Sequence, residues 1–266
     1  MAATSFLRSL RAKSRSGHPT SVPRLRSTRT GWGLATLALL AACDGGPATV
    51  REKPDDAGPF PAADRPVARI VSPRWSTEEA RDRLNESGEV MDKSGVTKGM
   101  TVADIGAGEG YYTIRLASRV GKDGRVLAED IVPEVRDALA QRVARDRLDN
   151  VSVKLGEPAN PKLPDNGSFD RVLMVHMYHE IEQPYEFLWR IRPSLKPDGQ
   201  IVVVDANRPT QDHGTPPKLL QCEFAAVGYQ LVAFDEMPSA GGYMARFRAV
   251  GPRPEPRDIK ACRLGG

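Results

Sequence analysis

Residues 102–112 read VADIGAGEGYY. A mostly apolar run that carries one acid, Asp104, leads directly into three closely spaced glycines. Glycine is needed where the chain turns sharply out of a strand and where a ligand must approach the backbone without a Cβ in the way. The next segment, Tyr111–Val120, has a helical pattern and would point its positive N-terminal end at an anionic ligand group. The stretch therefore predicts a buried strand, a ligand-binding turn and a helix.

Short apolar segments alternate with helical segments along the rest of the chain. Continuous apolar runs are typical of strands that are buried on both faces of a parallel sheet. The alternation therefore predicts an α/β fold with a doubly wound sheet. The predicted strands are Thr101–Ile105, Arg125–Glu129, Val151–Leu155, Arg171–Val175 and Ile201–Asp205, and the predicted helices are Tyr111–Val120, Pro133–Leu148, Gln183–Leu195 and Pro217–Val227.

The pattern changes at both ends of this alternation. Two further strand-like runs, Tyr229–Glu236 and Tyr243–Val250, are joined by the short loop MPSAGG and predict an antiparallel hairpin. Before the first strand, Ser76–Glu79 has the S-x-x-E pattern of a capping box and predicts a helix that runs to about Lys93. We expect a seven-stranded, mostly parallel, Rossmann-like sheet that ends in the hairpin.

The spacing of the glycines separates two classes of nucleotide-binding fold. The dinucleotide fingerprint is G-x-G-x-x-G, whereas residues 104–110 read D-x-G-x-G-x-G. This motif, the LPDNGSFD segment at residues 163–170 and the LKPDG segment at residues 195–199 resemble those of class I S-adenosylmethionine-dependent methyltransferases. The resemblance extends from about residue 96 to residue 205 and points to the small-molecule branch, which includes quinone-biosynthesis and arsenite methyltransferases. No cysteine set suited to arsenic is present.

The resemblance implies S-adenosylmethionine as the cofactor and assigns residues to bind it. An acid about 20 residues after the glycine turn accepts hydrogen bonds from ribose hydroxyls, and the family pattern within AEDIVPE favours Asp130 over the adjacent Glu129. In Gly156-Glu157-Pro158, Glu157 occupies the position where the family usually has an aspartate. In the family, that aspartate accepts a hydrogen bond from the adenine amino group. The implied cofactor-binding residues are Asp104, Gly106, Gly108, Gly110, Asp130 and Glu157.

Residues 176–180 read HMYHE and follow the fourth strand, where this architecture places ligands over the carboxyl ends of strands. We favour His179 as the acid–base or substrate-orienting group, since histidine has a pKa of about 6.5 and can take the proton that methyl transfer to a hydroxyl releases. Glu180 would orient the ring or polarise the substrate. For His179 and His176 alike, the alternative is a buried histidine that makes only structural hydrogen bonds.

The two histidines do not predict a metal site. H-x-x-H-E differs from H-E-x-x-H in spacing and order, and no third ligand is evident in the sequence. Asp205 and Asn207 could join a divalent-metal site like that of catechol-type enzymes, but their fourth-strand partner would then be histidine rather than aspartate. We therefore expect no metal.

The N-terminal region resembles a bacterial lipoprotein signal. Residues 1–43 contain a basic segment without acidic residues, an apolar run at residues 31–42, and the lipobox-like Leu40-Ala41-Ala42-Cys43. The apolar run is shorter than the roughly 20 residues that span a bilayer. We therefore expect a signal peptide at residues 1–43, a lipidated Cys43 and a periplasmic, inner-membrane location, with a cytoplasmic protein as the alternative.

The charge and the remaining segments complete the predicted organisation. The sequence pI of about 9.0 comes from the leader, so the rest has no positive field to attract nucleic acid. Residues 44–71 are predicted to be a disordered linker, residues 72–250 the methyltransferase domain, and residues 251–266 a disordered tail, because the linker and tail are rich in Pro, Gly and charge. A disulfide between Cys222 and Cys262 is left open.

The predicted function is methyl transfer from S-adenosylmethionine to a small molecule. An exported enzyme would meet little of a cofactor that is made in the cytoplasm. The alternative from another class is therefore an exported, membrane-anchored binding protein that keeps the fold without turnover. A nicotinamide-dependent oxidoreductase is disfavoured by the glycine spacing. The sequence identifies neither the methyl acceptor nor the oligomeric state.

Overall fold

The computed structural model describes residues 58–70 and 77–263. Its strands are β1 (Thr101–Ile105), β2 (Arg125–Asp130), β3 (Val151–Leu155), β4 (Phe169–Val175), β5 (Leu195–Asp205), β6 (Tyr229–Met237) and β7 (Gly242–Ala249). Its helices are α1 (Glu78–Arg83), α2 (Glu86–Lys93), α3 (Tyr111–Val120), α4 (Pro133–Arg145), α5 (Pro184–Ile191) and α6 (Pro217–Ala226). None of the helices in these residues is both long and apolar enough to cross a membrane.

The seven strands form one sheet in the order β3-β2-β1-β4-β5-β7-β6. Strands β1 to β5 pair in parallel, whereas β7 runs antiparallel to both β5 and β6. The predicted α/β class, the doubly wound sheet and the terminal hairpin are therefore confirmed. The strand order reverses between β1 and β4, and the carboxyl ends of strands at such a point are where ligands bind in this architecture.

Helices cover both faces of the sheet. On one face, α2 and α3 pack on residues such as Val102, Leu173 and Val202. On the other face, α5 and α6 pack on alternate residues of the same strands, among them Val172 and Val203. Neighbouring strand residues are thus buried on opposite faces, which explains why these strands read as continuous apolar runs.

The predicted helix from Ser76 to Lys93 is two helices. Thr77 is the N-cap of α1, and its hydroxyl accepts a hydrogen bond from the Ala80 backbone N–H at 3.2 Å. Asn85 interrupts the helix because its backbone is left-handed, with φ of 53°. The predicted cap residue Ser76 lies outside the described residues.

The predicted linker is ordered over residues 58–70, which corrects that part of the prediction. Phe60 is buried and packs edge-on against the ring of Trp189. The Arg65 guanidinium forms an ion pair with Glu223 at 2.8 Å, and the two side chains are 0% and 1% exposed. These few specific contacts hold the segment in place, although its composition predicts a disordered linker. Residues 44–57 and residue 71 lie outside the described part.

The predicted disordered tail is also wrong for residues 251–263. The Trp189 indole N–H donates to the Pro254 carbonyl at 2.9 Å, and Ile259 is buried. Cys262 forms a disulfide with Cys222 in α6, with Cα atoms 6.0 Å apart. The tail therefore docks through one covalent link and a few contacts, which a compositional pattern does not reveal. The leader with Cys43, and residues 264–266, lie outside the described residues.

Candidate active site

A cavity of about 1740 Å³ opens at the carboxyl ends of β1, β2 and β4. Ligand pockets usually measure about 300–1,000 Å³, so this cavity has room for two molecules side by side. Its wall comes from several separate parts of the chain. They include the glycine turn, the end of β2, the HMYHE loop and residues 67–70, with further residues from 77–81, 206–213 and 240–241.

The glycine turn requires glycine for conformation and for packing. Gly106, Gly108 and Gly110 have φ values of 65°, 56° and 91°, in the left-handed region that side chains disfavour. A Cβ on Gly106 would lie 3.0 Å from Cγ of Met177, and one on Gly110 would overlap the Leu139 side chain. Gly106 and Gly108 line the cavity, whereas Gly110 is buried as the N-cap residue of α3.

Two of the implied cofactor-binding acids line the cavity from β1 and β2. Asp104 is buried and accepts a hydrogen bond from the Thr113 hydroxyl at 2.6 Å, and burial raises its pKa to about 6. Asp130 is 8% exposed and accepts from the backbone N–H of Gly108 at 3.0 Å and of Val132 at 2.9 Å. These bonds fix the Asp130 carboxylate beside the turn, where ribose hydroxyls would reach it.

Glu129 is a third buried acid at the same wall, although the sequence pattern favours its neighbour Asp130. Burial, together with the charge of Asp130, raises the pKa of Glu129 to about 8. Its Oε1 has no hydrogen-bond partner within the described residues. A Cβ on Gly156 would overlap this carboxyl group, so Gly156 leaves the space that Glu129 occupies.

The structure does not bring Glu157 to the cavity. Its side chain is 56% exposed and forms an ion pair with Lys162. The next residue, Pro158, lines the cavity instead. Glu157 is thus not among the residues that line the cavity, and its contact with an adenine amino group stays a prediction.

His179 lines the cavity and is held from behind by a buried carboxylate. Its Nδ1 lies 3.0 Å from Oδ1 of Asp205, at the end of β5. Asp205 is itself fixed, because it accepts from the Ala206 backbone N–H at 2.8 Å and from the Thr215 hydroxyl at 2.7 Å. A carboxylate at Nδ1 favours the tautomer with the proton on Nδ1, which leaves the Nε2 lone pair available for chemistry.

Glu180 and His213 lie with His179 in the cavity wall. One ligand atom from each of the three side chains falls within 4.8 Å of the other two. His213 follows the short 3₁₀ turn at Thr210–Asp212 and has a left-handed backbone, with φ of 58°. Sequence reasoning missed His213, because nothing in the sequence links this loop to the HMYHE segment.

Residues before the first strand support the HMYHE loop. The Ala68 backbone N–H donates to the His179 carbonyl at 3.2 Å, and the Arg65 guanidinium donates to the Ile181 carbonyl at 3.1 Å. His176, at the start of the loop, lies 3.8 Å from a Glu86 carboxylate oxygen, and burial lowers its pKa to about 4. His176 is therefore neutral near pH 7.

Comparison with known proteins identifies the central segment. Residues 102–199 match the family model described as a methyltransferase domain. The ubiquinone/menaquinone biosynthesis C-methyltransferase UbiE of Hydrogenovibrio crunogenus is 31% identical over 161 residues, which cover 58% of this chain and 57% of that protein. The protein-L-isoaspartate O-methyltransferase of Methanococcoides burtonii is 28% identical over 108 residues, which cover 41% of this chain and 50% of that protein.

A solved structure shares the fold. The crystal structure of a SAM dependent methyltransferase from Aquifex aeolicus has a TM-score of 0.55 and 24% identity, and the alignment covers 65% of this chain and 98% of that chain. By contrast, the chain spans only about half the length of the curated relatives that it matches.

S-adenosylmethionine is the cofactor of this group, and the residues at the cavity fit it. The turn at Gly106 and Gly108 lets a ligand reach the backbone, and Asp130 offers a fixed carboxylate beside it. The matched residues contain this turn, both acid-bearing strand ends and the HMYHE loop. The segment of residues 102–199 is therefore a methyltransferase domain of the class I, S-adenosylmethionine-dependent group.

Proposed function

We propose that the whole protein transfers a methyl group from S-adenosylmethionine to a small molecule. The observation that carries the proposal is the His179–Asp205 pair, which lines the same cavity as the glycine turn. The volume of about 1740 Å³ leaves room for an acceptor beside the cofactor. The similarity to a ubiquinone/menaquinone biosynthesis C-methyltransferase also supports a small-molecule acceptor.

When bound, S-adenosylmethionine supplies an electrophilic methyl group, and the protein aligns the acceptor for in-line attack. Asp205 holds the His179 ring so that Nε2 can take the proton from an acceptor hydroxyl. Glu180, in the same wall, can accept a hydrogen bond from the acceptor or polarise it.

The experiment is to measure cofactor affinity and turnover separately in His179→Ala. A panel of hydroxylated aromatic and quinol acceptors is tested with methyl-labelled S-adenosylmethionine. Loss of a general base costs about 10²–10⁴-fold in rate, so turnover should fall by that factor while the affinity for S-adenosylhomocysteine stays within about threefold. Asp205→Asn should lower turnover in the same way. Unchanged turnover in His179→Ala would eliminate His179 as the base.

We also propose that the protein is exported and anchored by a lipid on Cys43. The lipobox-like segment supports this location. The Cys222–Cys262 disulfide supports it independently, because structural disulfides form and persist in oxidising compartments such as the periplasm. In that compartment, activity depends on a supply of S-adenosylmethionine. An anchored protein that binds the cofactor without turnover would be identified by binding of S-adenosylhomocysteine together with inactivity on every acceptor.

A further inference from the structure

We propose that His179, Glu180 and His213 bind a divalent transition-metal ion in the cavity wall. One ligand atom from each side chain lies within 4.8 Å of the other two. In a tetrahedral zinc site, with Zn–N distances of about 2.0–2.1 Å, ligand atoms are about 3.4 Å apart. Small side-chain rotations would therefore close the three ligands around an ion.

His179 is already arranged as a metal-binding histidine. Metal-bound histidines almost always donate their other ring N–H to a carboxylate or carbonyl, which fixes the ring and raises the basicity of the ligating nitrogen. Asp205 occupies that position at Nδ1 of His179 and is fully buried. Its remaining hydrogen bonds, from Ala206 and Thr215, hold it in place. Nε2 is thus the nitrogen of His179 that would bind the ion.

His213 supplies an observation independent of the cluster itself. Its Nδ1 is buried and has no hydrogen-bond partner within residues 58–70 and 77–263. A buried imidazole nitrogen without a partner is costly, and a metal ion would satisfy it. The left-handed backbone of His213, with φ of 58°, also stores strain of the kind that concentrates at ligand-binding sites.

Two imidazoles and one carboxylate are a ligand set that suits zinc and leaves at least one coordination position open. That open position would face the cavity, because all three ligands line it. An ion there would occupy the Nε2 lone pair of His179, so the imidazole would not act as the base. The ion would instead promote loss of the proton from a hydroxyl bound to it, by lowering the pKa of that hydroxyl. Only this last consequence rests on the proposed function.

The test is calorimetric titration of Zn²⁺ into the purified, chelator-treated protein without S-adenosylmethionine. We expect one ion per chain with a micromolar or lower Kd, and no comparable binding of Mg²⁺, which prefers oxygen ligands. Glu180→Gln should weaken the binding at least tenfold. Asp205→Asn replaces the carboxylate that holds Nδ1 of His179, and it should weaken Zn²⁺ binding about 10–100-fold.

His213→Asn and His176→Asn form a matched pair, since both residues have a left-handed backbone, with φ of 58° and 54°, which Asn tolerates. His213→Asn should weaken Zn²⁺ binding at least 30-fold, while His176→Asn should change it less than threefold. A cooperative thermal unfolding transition close to that of the wild type shows that each variant is folded. The absence of Zn²⁺ binding, or binding that survives both His213→Asn and Glu180→Gln, would overturn the proposal. A protein that binds Zn²⁺ but not S-adenosylhomocysteine would support the metal site and contradict the proposed function.

Discussion

Glu129→Gln should change how the stability of the protein depends on pH. Burial raises the pKa of Glu129 to about 8 in the folded protein, against an ordinary value of 4.5. The carboxyl group is therefore neutral in the folded state and ionised in the unfolded state between these values. Its contribution to stability is fully present below pH 4.5 and is lost as the pH rises through 8.

The size of the effect follows from the separation of the two pKa values. One pH unit of separation is worth about 1.36 kcal/mol, so the wild-type protein should lose about 3 kcal/mol from Glu129 between pH 5 and pH 8. Glutamine has the same shape and does not ionise. The free energy of unfolding of Glu129→Gln, minus that of the wild type, should thus rise by about 3 kcal/mol over this range.

The measurement is urea unfolding of both proteins at pH 5, 6.5 and 8. The difference in the free energy of unfolding between the two proteins reports on Glu129. Asp104 and His176 also have shifted pKa values, but both residues are present in the two proteins. Glu134→Gln, on the exposed first turn of α4, is the matched control for the removal of one carboxyl group. A difference that stays constant within about 0.5 kcal/mol from pH 5 to pH 8 would refute the assignment of a neutral, buried Glu129.

Three further outcomes test the cofactor, the anchor and the disulfide. S-adenosylhomocysteine at 100 times its Kd should stabilise the protein by about 2.7 kcal/mol, which is visible as a higher Tm. Gly108→Val should abolish this shift in Tm, because the valine side chain fills the space through which the ligand reaches the backbone. A shift in Tm with NADH alone would contradict the assignment of S-adenosylmethionine as the cofactor. Cys43→Ala should release the protein from membranes, since a run of that length cannot span; membrane attachment that survives the change would argue against lipidation. Cys222→Ser should lower the free energy of unfolding by about 2–4 kcal/mol and match the wild type treated with reductant, whereas equal stability would show that the disulfide does not form.

The sheet could be predicted from the sequence because its strands are buried on both faces. Thr101–Ile105 and Val151–Leu155 have the predicted bounds, while β5 begins earlier, at Leu195, than its apolar run suggests. The early start arises because Leu195 pairs with Phe169 of β4, and the register then shifts before Gln200 pairs with Arg171. Such pairing depends on the partner strand and leaves no local pattern.

The candidate site was predictable only where its residues follow strands. The glycine turn and the HMYHE loop come directly after β1 and β4, so the general rule for parallel sheets applies to them. The contact between Asp205 and His179 depends on the pairing of β5 with β4. The position of His213 depends on how the loop after β5 folds back. The ordered segments at residues 58–70 and 251–263 were missed for a related reason. Each is held by a few specific contacts, such as Arg65 with Glu223, rather than by a periodic apolar face.

The cavity wall divides into a part inside the segment that matches the family model and a part outside that segment. The segment shared with the methyltransferase family ends at residue 199, and it contains the glycine turn, Asp130 and His179. Residues 67–70, 208, 212–213 and 240–241 also line the cavity but lie outside that segment. Relatives can therefore share the cofactor chemistry while differing in the acceptor that they admit. A search for the acceptor should start from the shape of these flanking segments rather than from the names of similar proteins.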